Sequence, residues 1–348
     1  METRKLQEVG GGTYTVSIPK AWARRLGLEA GTPVHLYTHL DGSVVVRSRA
    51  TDGGQLDATR VELAVDRDGR DDSAVVTRTL RAALAVGFDR VTLAREGSFT
   101  DAERRAVAAA VRELVGVEVV DEREGELVVR SLLDASDVSV RQSVVQLSFV
   151  ARSMLREATA VLLDGDRDGP ADTVDRLRER EAEAERLSGM VARHFNRALV
   201  SLAEVDRLGT TRPELRDYCD TARHLRAVAR EAVAVASTTE RRSEPLSEEL
   251  VDDVRAVADG ASGVVEAAAN AVLDDGDLDT VRRALADRDE TRERIDTLDR
   301  ALTDGGGTHT VSDAVATARA LDAYGRTLQH GAATADVAIR TLARTDRL

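Results

Sequence analysis

The side chains of this 348-residue chain that could do chemistry are charged, and they fall into two groups. The first fifty residues hold Arg4, Lys5, Lys20, Arg24, Arg25, Arg47 and Arg49 against Glu2, Glu8, Glu29 and Asp41, a net charge of +3. The whole chain carries −13, so the remainder carries −16. A basic segment on an acidic protein is the electrostatic footprint of a nucleic-acid reader, because phosphate contacts supply most non-specific affinity. The alternative is a set of solvated arginines. The second group consists of acids four residues apart, Glu181 with Glu185 and Asp289 with Glu293, each pair on one helix face where an arginine fork could offset its charge.

Other chemistries find little support. The six histidines, His35, His39, His194, His224, His309 and His330, form no ligand-spaced pair on one helix and read as structural or surface residues. One cysteine, Cys219, excludes an intramolecular disulfide and a Cys-based zinc site. No nucleophile elbow or Walker loop occurs, and Gly10-Gly11-Gly12 precedes a strand rather than a helix. The expectation is a protein without catalysis, cofactor or bound metal.

Composition bounds the architecture. With 42% hydrophobic and 3% aromatic residues, the chain is built from Ala, Val and Leu, which favours helices packed through small side chains. Lysine occurs only at Lys5 and Lys20. Dense acid with almost no lysine suits a cytoplasm of multimolar salt, as in halophilic archaea. A GC-rich genome would explain the missing lysine but not the acid excess. No apolar run approaches eighteen residues and no basic-then-apolar leader is present, so the expectation is a cytoplasmic protein with no membrane insertion.

The basic group must be positioned by the stretch from Gly10 to Val46. Thr13 to Ile18 alternates as a strand, Pro19 ends it, and Lys20 to Leu26 reads as about two helical turns closed by Gly27. A strand through Val34, Leu36 and Tyr37, a Leu40-Asp41-Gly42-Ser43 hairpin signal and a strand over Val44–Arg47 follow. This stretch resembles the AbrB/SpoVT/MazE swapped-hairpin family through Ser17-Ile18-Pro19-Lys20, Leu26-Gly27-Leu28, Gly31, Val34 and Asp41-Gly42. The resemblance covers about the first fifty residues. It implies an intertwined homodimer on double-stranded DNA, with Arg4, Lys5, Lys20, Arg24 and Arg25 facing DNA and Thr13, Tyr14 and Thr15 adding hydroxyl contacts. Dimerisation also follows from size, since a few short strands and two helical turns bury too little apolar surface to stand alone.

After a polar linker over 48–57 the period changes. A βαβαββ order predicts a small α/β domain over 58–133, with a capping box at Thr100-Asp101-Ala102-Glu103. From 139 onward every segment is helical, and the pattern repeats. Ala160-Val161-Leu162 before Asp164-Gly165-Asp166 mirrors Ala271-Val272-Leu273 before Asp275-Gly276-Asp277, and Pro170 and Pro213 open long helices through Leu202 and Ala236. The expected fold class is therefore multidomain α+β: a swapped-hairpin β domain over 1–50, the α/β domain, and an all-α domain over 139–348 of two three-helix repeats, 139–240 and 247–345.

A duplicated three-helix bundle of this length resembles the PhoU family of phosphate-transport and phosphate-signalling regulators. In that family acids on the third helix of each repeat join acids of the second helix to bind metal. The equivalent positions here are Arg226 and Arg230, then Asp322 and Arg326, so three of the four are arginine. Interhelical pairs between these residues and Glu181, Glu185, Asp289 and Glu293 are expected to replace the metal; solvated side chains on unrelated surfaces are the alternative. The joined resemblances imply a homodimeric transcriptional regulator of phosphate uptake, with a phosphate-transporter subunit or signalling protein as a further partner. Two other readings stay open: a transporter adaptor that uses its first domain to dimerise, and an antitoxin-like module.

Overall fold

A computed structural model describes residues 3–39, 42–48, 56–64, 72–132, 135, 138–164, 170–241, 246, 248–274, 276–303 and 310–347. The Leu40-Asp41 half of the predicted hairpin turn, most of the 48–57 linker, the Gly165-Asp166 helix stop and Asp275 lie outside them. The chain divides into two compact units, Met1–Gln55 and Leu56–Leu348. Small β-sheets make up the first, and the second is dominated by helices.

In the first unit, β1 (Gln7–Val9) pairs antiparallel with β2 (Thr13–Thr15), and β3 (His35–Thr38) with β4 (Val44–Arg47). Between the hairpins lies α1 (Lys20–Arg25). The predicted strand over Thr13–Ile18 is shorter than its alternation suggests, and its partner β1 lies across the glycine run, where Gly10 and Gly11 take φ of 67° and 74°. The stop of α1 is chemical. Gly27 at φ 68° lets Leu28 N–H donate to the Ala23 carbonyl at 2.9 Å and Gly27 N–H to the Arg24 carbonyl at 3.2 Å, closing the last turn.

The second unit opens with a four-stranded sheet in the order β5-β6-β8-β7, with β5 (Ala58–Glu62) and β6 (Arg90–Ala94) parallel and β8 (Glu126–Ser131) antiparallel to β6 and to β7 (Val117–Arg123). Helices α2 (Ser73–Val86) and α3 (Asp101–Arg112) pack on it through Val76, Leu80, Leu84, Val107 and Val111 against Val91, Leu93, Leu127 and Val129. The Thr100 capping box forms: Thr100 N–H donates to Glu103 at 2.7 Å, and Glu103 N–H to the Thr100 hydroxyl at 3.2 Å.

Among the described residues seven α-helices follow. They are α4 (Val140–Asp164), α5 (Pro170–Val200), α6 (Leu202–Leu208), α7 (Arg212–Ser237), α8 (Glu248–Leu273), α9 (Leu278–Thr303) and α10 (Val311–Arg344). Helices α4, α5 and α7 pack on one another, as do α8, α9 and α10, and α7 against α10 and α4 against α8 join the two triplets. One continuous core of mostly Ala, Val and Leu runs through both. The fully buried Tyr324 hydroxyl meets Thr159 at 2.8 Å inside it. The helix predicted through Leu202 instead breaks at Ser201, whose side chain accepts the Glu204 N–H at 3.0 Å and so starts α6.

Candidate nucleic-acid interface

The basic side chains sit where α1 and β1 begin and end. Lys20 and Arg24 are one turn apart on α1, and Arg24 and Arg25 lie in its last turn, where the helix dipole favours cations. Arg4 and Lys5 lead into β1. All five are exposed, and among the described residues none pairs with Lys5, Lys20, Arg24 or Arg25. On β2, Thr13, Tyr14 and Thr15 are exposed as well, and the Thr15 hydroxyl donates to the Gln7 carbonyl at 3.3 Å. The arrangement offers unspent N–H donors and hydroxyls to an anion.

The same unit has no buried core among its described residues. Leu6, Val9, Tyr14, Val16, Ile18, Leu26, Leu36 and Val44 are all at least 41% exposed. So much exposed apolar surface on some fifty residues marks an interaction face. Sequence and geometry converge with the family comparison. Residues 7–53 match the family described as antidote-toxin recognition MazE, bacterial antitoxin. The chain thus carries a MazE/AbrB-type, antitoxin-like N-terminal domain, which points to a DNA-binding or antitoxin-like module. No curated protein and no solved structure matches the chain.

The helical residues singled out from sequence are brought together in part. Arg226 donates to Glu185 at 2.9 Å, joining α7 to α5. Burial, with the charge of Glu185 adding to it, raises the Glu181 carboxyl above its usual range against the opposing Arg230 and Arg226. The second repeat departs from expectation. Arg326 reaches Glu231 on α7 at 2.7 Å instead of Asp289 or Glu293, because its face of α10 meets α7. Asp289 pairs with Arg288 at 2.8 Å, Glu293 lies beside Arg294 and Thr297, and Asp322 is exposed. Among the described residues no group of three His, Cys, Asp or Glu side chains is placed to hold a metal, and no helix is long and apolar enough to cross a membrane.

Two clusters escaped the sequence reading. In one, Asp89 accepts from Arg193 and Arg197 at 2.8 and 2.7 Å, and Arg197 continues to the buried Glu204, which His194 also meets at 2.7 Å. Arg193, Asn196 and Arg197, spaced three and four along α5, were the visible signal; their partners on the α/β layer lie more than a hundred residues away.

In the other, the rings of His224 and His330 face each other across α7 and α10 with centroids 5.7 Å apart. Burial pushes both imidazoles down. His330 lowers His224 further, with Asp220 opposing and Arg223 and Arg340 adding; at His330, Glu231 opposes while Arg230 and Arg326 add. A histidine whose folded value lies below the unfolded one, about 6.5, contributes full stability above that pH and loses it as pH falls toward the folded value. Wild-type protein is therefore expected to lose more of its melting temperature between pH 7.5 and about 5.5 than His224→Gln/His330→Gln does. Equal losses in paired thermal melts would show that the pair does not titrate this way.

Proposed function

We propose that this protein is a homodimeric DNA-binding transcriptional regulator and not an enzyme, whose helical repeats receive a signal linked to phosphate supply. The observation that carries the reading is the MazE/AbrB-type domain itself: exposed cations beside a set of apolar side chains that lack a core. A second copy supplies that core, and two copies of Lys20, Arg24 and Arg25 then form a cationic face for phosphates. The phosphate assignment is supported by the likeness of the duplicated helix order to the PhoU family. Arginine at three of the four positions where that family places metal-binding acids favours a repeat that signals without a metal.

One experiment tests both halves. Bound sites are mapped across the genome in phosphate-rich and phosphate-starved cells, for wild type and for Arg24→Ala/Arg25→Ala. The expected outcome is occupancy at transporter promoters that changes with phosphate and disappears in the variant. Occupancy indifferent to phosphate would remove the phosphate assignment, and occupancy retained by the variant would remove the DNA-reading face. The description of the matched family favours a second reading, an antitoxin whose partner is a toxin protein; a small toxin gene beside this one and a stable complex of the two products would support it.

A further inference from the structure

The α7/α10 seam gathers arginines in a unit that is otherwise acidic. Asp217, Asp220 and Glu231 lie beneath the seam with side chains 5%, 7% and 8% exposed. Above them stand Arg216, Arg223 and Arg230 on α7, and Arg326, Arg340 and Arg344 on α10, all but Arg344 with exposed or largely exposed side chains. Asp220 takes Arg216 at 2.8 Å, Arg223 at 3.0 Å and Arg340 at 3.0 Å; Asp217 takes Arg344 at 2.7 Å; Glu231 takes Arg326 at 2.7 Å. Arg230 has no such partner among the described residues. Six cations stand over these three buried carboxylates, with Glu181 near Arg230 and Glu214 near Arg344 at the flanks, within a segment that carries −16.

Asp220 stays charged at the centre of the seam. Burial works to raise Asp220, but the hydrogen bond from Arg216 and the charges of Arg216, Arg223 and Arg340 hold it below the usual carboxylate range. Each acid thus fixes the arginines above it and leaves most of their N–H donors facing outward, so little side-chain freedom remains to be given up on binding. The α7 arginines recur every seven residues, a spacing of about 10 Å, and the α10 row runs for about 27 Å antiparallel to it.

We infer that this arginine seam binds the phosphate backbone of DNA as a second contact surface of the regulator. The inference deepens the reading given above and rests on it, since DNA is the polyanion that reading supplies. The composition of the seam favours nucleic acid over a protein partner. Protein interfaces place aromatic and apolar groups at a centre depleted of charge, whereas protein–DNA interfaces are polar and strongly positive. Among the described residues no large apolar side chain is exposed on α7, and those exposed on α10, Val311 and Val315, lie at its far end from Arg326 to Arg344.

The test uses the full-length protein and duplex DNA from a mapped site in a salt titration. It compares wild type, Arg223→Ala/Arg230→Ala and Arg24→Ala/Arg25→Ala. Arg223 and Arg230 are chosen because Asp220 keeps two other arginines, no hydrogen bond or ion pair of Arg230 among the described residues is lost and Glu181, which Arg230 faces, keeps Arg226; an unchanged melting temperature confirms folding. The seam variant is expected to bind at least 10-fold more weakly at moderate salt, with the slope of log K against log salt reduced by about 0.9 for each phosphate that is no longer neutralised. Unchanged affinity and slope, with the Arg24/Arg25 variant impaired, would overturn the seam and leave the hairpin reading intact. Weaker binding by the seam variant while the Arg24/Arg25 variant binds as wild type does would keep the seam and overturn the hairpin reading. Unchanged DNA binding with release of an acidic protein partner from cell extract would make the seam a protein dock and overturn the proposal.

Discussion

Arg197→Ala is expected to destabilise the second unit by about 3–5 kcal/mol, the usual cost of breaking a buried ion pair by removing one partner. Glu204 is 2% exposed, and burial alone would raise its carboxyl; the hydrogen bond from His194 and the charge and hydrogen bond of Arg197 bring it below the usual range instead. Removing the guanidinium leaves that carboxylate with His194, whose Nε2 is itself buried and unpartnered among the described residues. The damage extends across the seam between α5 and the α/β layer. Arg197 donates to the Gly87 carbonyl at 2.8 Å, Arg193 to the Leu84 and Phe88 carbonyls at 2.8 and 2.9 Å, and Asn196 to the Ala85 carbonyl at 2.7 Å. These include the carbonyls that a helix end leaves without partners, so α5 caps α2 and fixes the sheet layer to the bundle.

Gly87 belongs to the same joint. At φ 116° it takes the left-handed conformation that ends α2, and a β-carbon there would lie 2.6 Å from the Arg197 Cγ. Urea unfolding of Arg197→Ala should therefore give a lower midpoint, and limited proteolysis should cut between 64 and 138 faster than in wild type. The double variant Arg197→Met/Glu204→Gln, which leaves no carboxylate buried without its guanidinium, should recover much of the stability. A single variant within about 1 kcal/mol of wild type would show that the cluster is not the joint.

This cluster also marks where sequence stops being informative. The long helices were legible because their Ala, Val and Leu positions recur at helical spacing and Pro170 and Pro213 mark two of their starts, while the capping residues Thr211 with Glu214 and Thr310 with Asp313 emerge only in the structure. The cations of α1 were legible because a two-turn helix of this composition cannot bury them. Strand β1 was not: three residues carry no usable period, and its existence depends on Gly10 and Gly11 turning the chain back. The break at Ser201 was hidden because Leu199, Val200 and Leu202 continue the apolar pattern through it. The partner of Arg326 depends on how α10 crosses α7, and no local spacing encodes a contact between residues 95 apart.

Leu36→Asp is expected to abolish the proposed dimer and, with it, high-affinity DNA binding. Leu36 is 68% exposed and Val44 60%, and they stand on the two strands of one hairpin in a unit whose described residues include no buried side chain. Burying a side chain such as Leu or Val against a second copy stabilises by about 1.5–3 kcal/mol each, and eight such side chains are available. An aspartate at the same place would put a charge from each copy among apolar side chains, at the cost of its desolvation. The second unit keeps its own core, so far-UV circular dichroism should stay largely helical while sedimentation shows the mass falling to that of a single chain. DNA affinity should drop by about 100-fold or more, because each copy then binds with its own few cations and no partner. Val75→Asp is the control: Val75 is 57% exposed on α2 in the second unit, and the same change there should leave mass and DNA affinity as in wild type. A Leu36→Asp protein that remains dimeric and binds DNA as wild type does would mean that the apolar face of the first unit serves neither pairing nor reading.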